Sequence, residues 1–257
     1  MNASTSLGNP LTSNTSTPPP PTRRIVDAPM RMFHWLFALS FVGAYLTADG
    51  ENWRMLHITL GYTLAGLLAF RVLYGLWGPP QARLSLMLRK LAPAPQWLKS
   101  AVANASAGTL AKLNWRQGQN LLMALAVVAL LALVVPLTLS GYATFHDWGD
   151  VLGGDWVEEV HEFMGEALLF VVLAHLALIA GLSLLRQKNI AQPMLTGRTD
   201  GAGPDLAKRN HTWLAFLLLV AVLAYGTWEW QQSPNGLISA GAISGALSGD
   251  GHDQDDD

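Results

Sequence analysis

Five long apolar stretches separated by polar segments organise the chain: Met32 to Ala48, His57 to Trp77, Leu121 to Tyr142, Val160 to Leu185 and Thr212 to Trp228. At a rise of ~1.5 Å per residue, a helix of about 20 residues crosses the ~30 Å hydrocarbon core of a bilayer. Each stretch therefore predicts a membrane span, although the first is short for the task. Pro136 predicts a kink in the third. The fold class expected is an all-α membrane protein. Spans at about 32–48, 57–77, 121–142 and 160–185 form a four-helix bundle, and a fifth transmembrane helix follows near the C-terminus.

The segments between the spans differ in character. Asp49 to Arg54 is a polar turn, 81–117 a long connector, 143–159 an acidic and aromatic loop, and 186–210 a basic one. The first part of the connector (LSLMLRKL) reads as an amphipathic helix lying on the membrane surface. Residues 1–22 carry no charge and end in a run of prolines, so they read as a disordered tail rather than a secretory signal. A polyproline segment that binds a partner is the less favoured reading. The expected organisation is a tail over 1–22, the bundle over 23–198, a linker and fifth span over 199–230, and a disordered acidic tail over 231–257.

Composition sharpens this picture. Hydrophobic residues make up 51% of the 257 and charged residues only 13%, where a soluble domain has about a quarter charged. Cysteine is absent, which excludes a disulfide scaffold, thiolate-held zinc, iron–sulfur clusters and covalently attached c-type haem. The basic residues set the orientation. Of the 16 Lys and Arg, three lie in the N-terminal segment, six in the 81–117 loop and five in the 186–210 loop, all on one side. The other side has only Arg54, and Arg71 lies within the second span. The expected location is a bacterial inner membrane, with a cytoplasmic N-terminus and a periplasmic C-terminus. Lipid is a partner, and no nucleic acid is expected.

Histidine carries the candidate chemistry. His161 and His175 lie fourteen residues apart on one apolar stretch, close to four helical turns. Both imidazoles thus leave nearly the same face, roughly 21 Å apart along the axis. An ionisable side chain inside a span is costly unless something binds it. With the orientation above, His57 starts its span at the depth of His161, and His34 starts its span near the depth of His175. Bis-histidine ligation of haem iron needs two imidazoles at one depth on different helices. The pairs inferred are His57 with His161 at the outer level and His34 with His175 at the inner level. His57 and Gly61, and likewise His161 and Gly165, share an H-x3-G spacing. A glycine one turn beyond the ligand clears side-chain bulk from its face, or merely helps the helices to pack. Incidental, hydrogen-bonded histidines are the bland alternative, and the paired depths count against it. Zinc of the H-E-x-x-H kind fails because Gly165 occupies the second histidine position, and a proton path lacks a chain of acids across the membrane. His146, His211 and His252 fall in loops or at interfaces, where structural or solvated roles are expected.

Three blocks resemble the bacterial cytochrome b561 family, which includes the cytochrome b subunits of nickel–iron hydrogenases. They are DAPMRMFHWLFALSFVGAYLT, then LHITLGYTLAGLLAFRVLYGLWGP with AR two residues on, and VHEFMGEALLFVVLAHLALI followed by LTGR. The resemblance covers roughly 25–198. It implies a four-helix bundle with two b haems whose axial ligands match His34, His57, His161 and His175, and a quinone as substrate. Arg71, with Arg24 and Arg31, is then a candidate partner for haem propionates on the inner side, and Arg54 on the outer; ordinary positive-inside anchoring explains the inner group equally well. The family moves electrons between quinone and a redox partner. Asp49, Glu51, Asp147, Asp150, Asp155, Glu158 and Glu159 make the outer surface acidic, which attracts a cationic protein and repels superoxide. The expected function is electron transfer between the quinone pool and a periplasmic c-type cytochrome. A relay subunit anchoring a periplasmic hydrogenase or dehydrogenase is the alternative, and superoxide:quinone oxidoreduction comes behind it.

Overall fold

The computed structural model describes residues 21–152 and 154–233. Most of 1–22, the acidic tail from 234 onward and His252 lie outside the described residues. Nine helices occur among the described residues. The five long ones are α1 (Ala28–Leu46), α2 (Arg54–Trp77), α5 (Trp115–Phe145), α7 (Trp156–Arg186) and α9 (Thr212–Gln232). The short ones are α3 (Leu84–Arg89), α4 (Ala94–Ser106), α6 (Trp148–Leu152) and α8 (Gln192–Thr196). The helices containing α2, α5, α7 and α9 are long and apolar enough to cross a membrane. α1, nineteen residues long, is not among them; it carries Arg31, His34 and Trp35 in its first turns. The fold is a helical membrane bundle, as expected.

The helices outrun the apolar runs that announced them. An apolar run measures contact with lipid, whereas a helix ends where its backbone finds a cap. Asn114 caps α5 by accepting the Gln117 N–H at 3.0 Å, so the helix starts at Trp115, six residues before the apolar run. The helix then continues through Pro136. At the other end of α1, the Thr47 hydroxyl donates to Gly43 O at 2.7 Å and closes the helix before Ala48.

The basic segments form one end of the bundle and the acidic ones the other. At the basic end a two-stranded antiparallel sheet pairs β1 (Thr22–Arg24) with β2 (Arg198–Asp200), so Thr22 belongs to the folded part and not to the tail. Gly197 O accepts from both Ile25 N and Val26 N. Gly197 itself has φ +78°, and a Cβ there would lie 2.8 Å from Val26 O, so only glycine fits. The connector between α2 and α5 is folded rather than extended. Its helix α3, which holds most of the amphipathic stretch, packs against α2 and α5, and Trp97 of α4 fills the space above Gly118.

Asp27 ties this end together. It is fully buried and caps α1 by accepting the Met30 N–H at 3.3 Å. Its other oxygen accepts from the Tyr74 hydroxyl at 2.7 Å and from Gln81 Nε2 at 3.4 Å. Arg71, 4% exposed, donates to Ala82 O at 3.1 Å and offsets the carboxylate's charge from nearby. A buried carboxylate persists only when so partnered.

Replacing Asp27 with alanine is expected to cost about 1 kcal/mol for the lost cap and about 1–3 kcal/mol more for the stranded Tyr74 hydroxyl. Thermal unfolding in detergent checks this. Tyr74→Phe, which leaves the cap intact, should cost clearly less, and equal losses would contradict the account.

Candidate functional site

The four intramembrane histidines lie on three helices. His34 is in α1, His57 in the first turn of α2, and His161 and His175 on α7. α7 runs close along α5, and α1 packs against α2, but α7 makes no comparably close approach to α1 or α2. α7 thus stands farther from the α1–α2 pair than from α5, with side chains filling the space between them, and the histidines fall at two levels along the bundle.

At the acidic end the structure brings His57 and His161 together, with ring centroids 5.9 Å apart and planes at 83°. Each ring is held by a backbone carbonyl of a different helix. His57 Nδ1 lies 2.8 Å from Ala44 O of α1, and His161 Nδ1 lies 3.1 Å from Leu137 O of α5. A carbonyl oxygen can only accept, so Nδ1–H donates on both rings and each Nε2 keeps its lone pair. This is the arrangement that orients a metal-ligating imidazole. Two imidazoles at this separation can hold one metal ion between them.

The surroundings leave room for a flat ligand. A Cβ at Gly61 would meet nothing within 4 Å, and one at Gly165 would meet only Leu137 Cδ1 at 3.9 Å. Gly141 of α5 has a different task. A Cβ there would lie 2.8 Å from His161 Cε1 and 3.0 Å from Nδ1, so glycine lets the ring lie flat against α5.

At the basic end His34 and His175 are close enough to interact electrostatically. Both Nδ1 atoms are buried without a hydrogen-bond partner. An orphaned buried polar atom costs about 1–3 kcal/mol, and a pair of them on histidines of two helices is one thing a bound group would explain. Trp35 stands edge-on to His34 with centroids 5.3 Å apart, and its Nε1 donates to Met194 O at 3.2 Å. The α1 face beside His34 is thereby stapled to the loop after α7. Between the two layers Phe41, Leu64, Val134, Leu137 and Leu168 form the apolar core. Phe41, Leu64 and Leu168 each stand seven residues, two turns, beyond His34, His57 and His161 respectively.

Of the remaining sequence candidates, Arg71 is engaged with Ala82 and Asp27 as described, and Arg54 is exposed at the start of α2. His146 caps α5 and stacks on Tyr142 at 4.0 Å, and His211 caps α9. Among the described residues no three His, Cys, Asp or Glu side chains gather for a metal ion. Paired imidazoles suit a metal that brings four ligands of its own in a macrocycle, and the donor set here fits a haem. Sequence reasoning missed Leu137, Ser140 and Gly141, the α5 backing of His161. The small residues Ser140-Gly141 inside an apolar run were the available signal.

A family model described as prokaryotic cytochrome b561 matches residues 25–197, more than half of the chain. No curated protein and no solved structure matches it.

Gly141→Ala is expected to push the His161 ring off Leu137 O and reduce the haem retained per chain on purification by up to about half, a loss comparable to removing a fixed second-sphere contact. Gly181→Ala, where a Cβ meets nothing within 4 Å, serves as the control. Equal haem content in both variants would contradict this role for Gly141.

Proposed function

This chain belongs to the prokaryotic cytochrome b561 family, and from that premise we propose that it carries two b haems linking the membrane quinone pool to a periplasmic c-type cytochrome. Family membership makes it a membrane protein of transmembrane electron transfer through b haems. The finer reading rests on one observation above all, the His57–His161 pair 5.9 Å apart with both Nδ1 atoms tied to carbonyls of neighbouring helices.

In this reading His57 and His161 would hold one haem, and His34 and His175 the other. Bound there, a haem supplies a one-electron ferric–ferrous couple. The chain's own residues do the rest. Ala44 O and Leu137 O would fix the tautomer and keep each Nε2 available for iron. Gly61 and Gly165 would leave room for the flat ring beside their helices. Phe41, Leu64, Val134 and Leu168 keep water from the space between the layers, which holds the local dielectric low. Histidines fourteen residues apart on α7 put the centres roughly 21 Å apart along the axis, with no moving part needed between them. Arg71 and Arg54 are the candidate propionate partners. Arg54, exposed at the acidic end, is free to swing toward one, whereas Arg71 would have to share its guanidinium with Ala82 O.

The orientation proposed puts the basic end in the cytoplasm and the acidic end in the periplasm of a bacterial inner membrane. The acidic end then offers Asp49, Glu51, Asp147, Asp150, Asp155, Glu158 and Glu159 to a cationic partner.

The test is to replace each histidine in turn with alanine and record reduced-minus-oxidised spectra with haem per chain. His57→Ala and His161→Ala are expected to remove the same spectral component, and His34→Ala and His175→Ala the other. Unchanged haem content in His161→Ala, or a loss shared by His57 and His175, would contradict the pairing.

A further inference from the structure

A cavity of about 580 Å³ opens among α2, α5 and α9 on the acidic side of the bundle. Its size is that of an ordinary small-molecule site. Its walls are divided by depth. Tyr62, Tyr142, His146, Tyr225 and Glu229 supply the polar groups. Leu67 and Leu218 lie further along α2 and α9 toward the membrane middle and are apolar.

The polar groups form one connected set. The Tyr225 hydroxyl hydrogen-bonds Glu229, and Tyr62 interacts electrostatically with both Glu229 and Tyr142. The Tyr62 and Tyr142 rings meet at 6.4 Å and 74°. His146 Nδ1–H donates to Tyr142 O at 2.9 Å, leaving Nε2 as an acceptor. The set also adjoins the histidine layer. Tyr142 follows Gly141, which backs His161, and Tyr62 follows Gly61, one turn beyond His57.

The charges restrict the occupant. No Lys or Arg lines the cavity, and Glu229 does. A phosphate-headed lipid would bring an anion beside a carboxylate in a medium of low dielectric, with nothing to neutralise it. A neutral ring with an oxygen at each side suits the lining in both of its redox states. Its hydroxyls would find acceptors in Glu229 and His146, and its carbonyls a donor in the Tyr62 or Tyr142 hydroxyl. An isoprenoid tail would lie against Leu67 and Leu218. We infer that this cavity binds the headgroup of a membrane quinone or quinol, and that α9 is the wall that completes it. The inference rests on the quinone-linked reading above. It also gives α9 a purpose, because Leu218, Ala221, Val222, Tyr225 and Glu229 all lie beyond the family match at 25–197.

The test titrates the full-length, haem-loaded protein in detergent with decylbenzoquinone by calorimetry. Ala221→Trp fills the cavity from the α9 side, and Glu229→Gln and Tyr225→Phe remove polar partners with little change of volume. Affinity should fall about tenfold or more in the first and roughly threefold to tenfold in the others, with haem content and spectrum kept as in the unsubstituted protein. The two conservative variants decide the matter if Ala221→Trp loses haem. Unchanged affinity in the variants, with the unsubstituted protein binding, overturns the cavity assignment and leaves the quinone-linked function standing. No binding to the unsubstituted protein overturns both. Phospholipid phosphate that co-purifies with the protein and is lost in Ala221→Trp assigns the cavity to lipid and overturns the inference.

Discussion

Everything at the centre of this bundle follows from two backbone carbonyls. Buried imidazole in a membrane span has two nitrogens to satisfy, and a single hydrogen bond decides which remains available. Ala44 O takes the Nδ1–H of His57 and Leu137 O takes that of His161, so each ring keeps its Nε2 lone pair, and the two rings stand 5.9 Å apart. The carbonyls belong to α1 and α5, neither of which carries a histidine of this pair. The site is therefore a property of four helices at once: α2 and α7 supply the rings, and α1 and α5 orient them. Gly141 belongs to the same device, since only a bare backbone lets the His161 ring reach Leu137 O.

The basic end is held by different means. Its histidines have no such carbonyls, and both Nδ1 atoms are buried and unpartnered. Order there comes from the surroundings. Asp27 joins the start of α1 to the end of α2, and the Gly197 turn and Trp35 join α1 to the loop after α7. These contacts explain why the resemblance extends past the spans to the LTGR segment, where Gly197 sits in a conformation other residues avoid.

Much of this was legible in the sequence, and the reasons are physical. Apolar runs of bilayer length announce spans whatever the tertiary packing, and ionisable residues within them stand out because burial is costly. The face and depth of His161 and His175 follow from helical geometry alone. Helix ends were less legible. Caps such as Asn114 and Asp27 lie outside the apolar runs, so α5 began earlier than hydropathy indicated. The first apolar run reads as short for a span; the helix that contains most of it, α1, is nineteen residues long and begins four residues earlier, at Ala28. The β1–β2 pairing joins residues about 180 positions apart, which no local pattern announces. Main-chain acceptors leave no mark on composition, so Leu137 and Ala44 could not be found. Arg71 was read against propionates because it was the charge at depth, but its contacts with Ala82 and Asp27 depend on a turn the sequence does not describe.

The most direct measurement is the amount of haem per chain in the purified protein, by pyridine haemochrome, together with the low-temperature EPR spectrum of the oxidised form. Two b haems per chain, both low-spin, with one signal of the strongly anisotropic kind that near-perpendicular imidazole planes produce, is the expected result for the 83° His57–His161 pair. A single haem, or a high-spin ferric signal, would mean that one of the layers does not hold iron between two histidines, and the account of the site would fall with it.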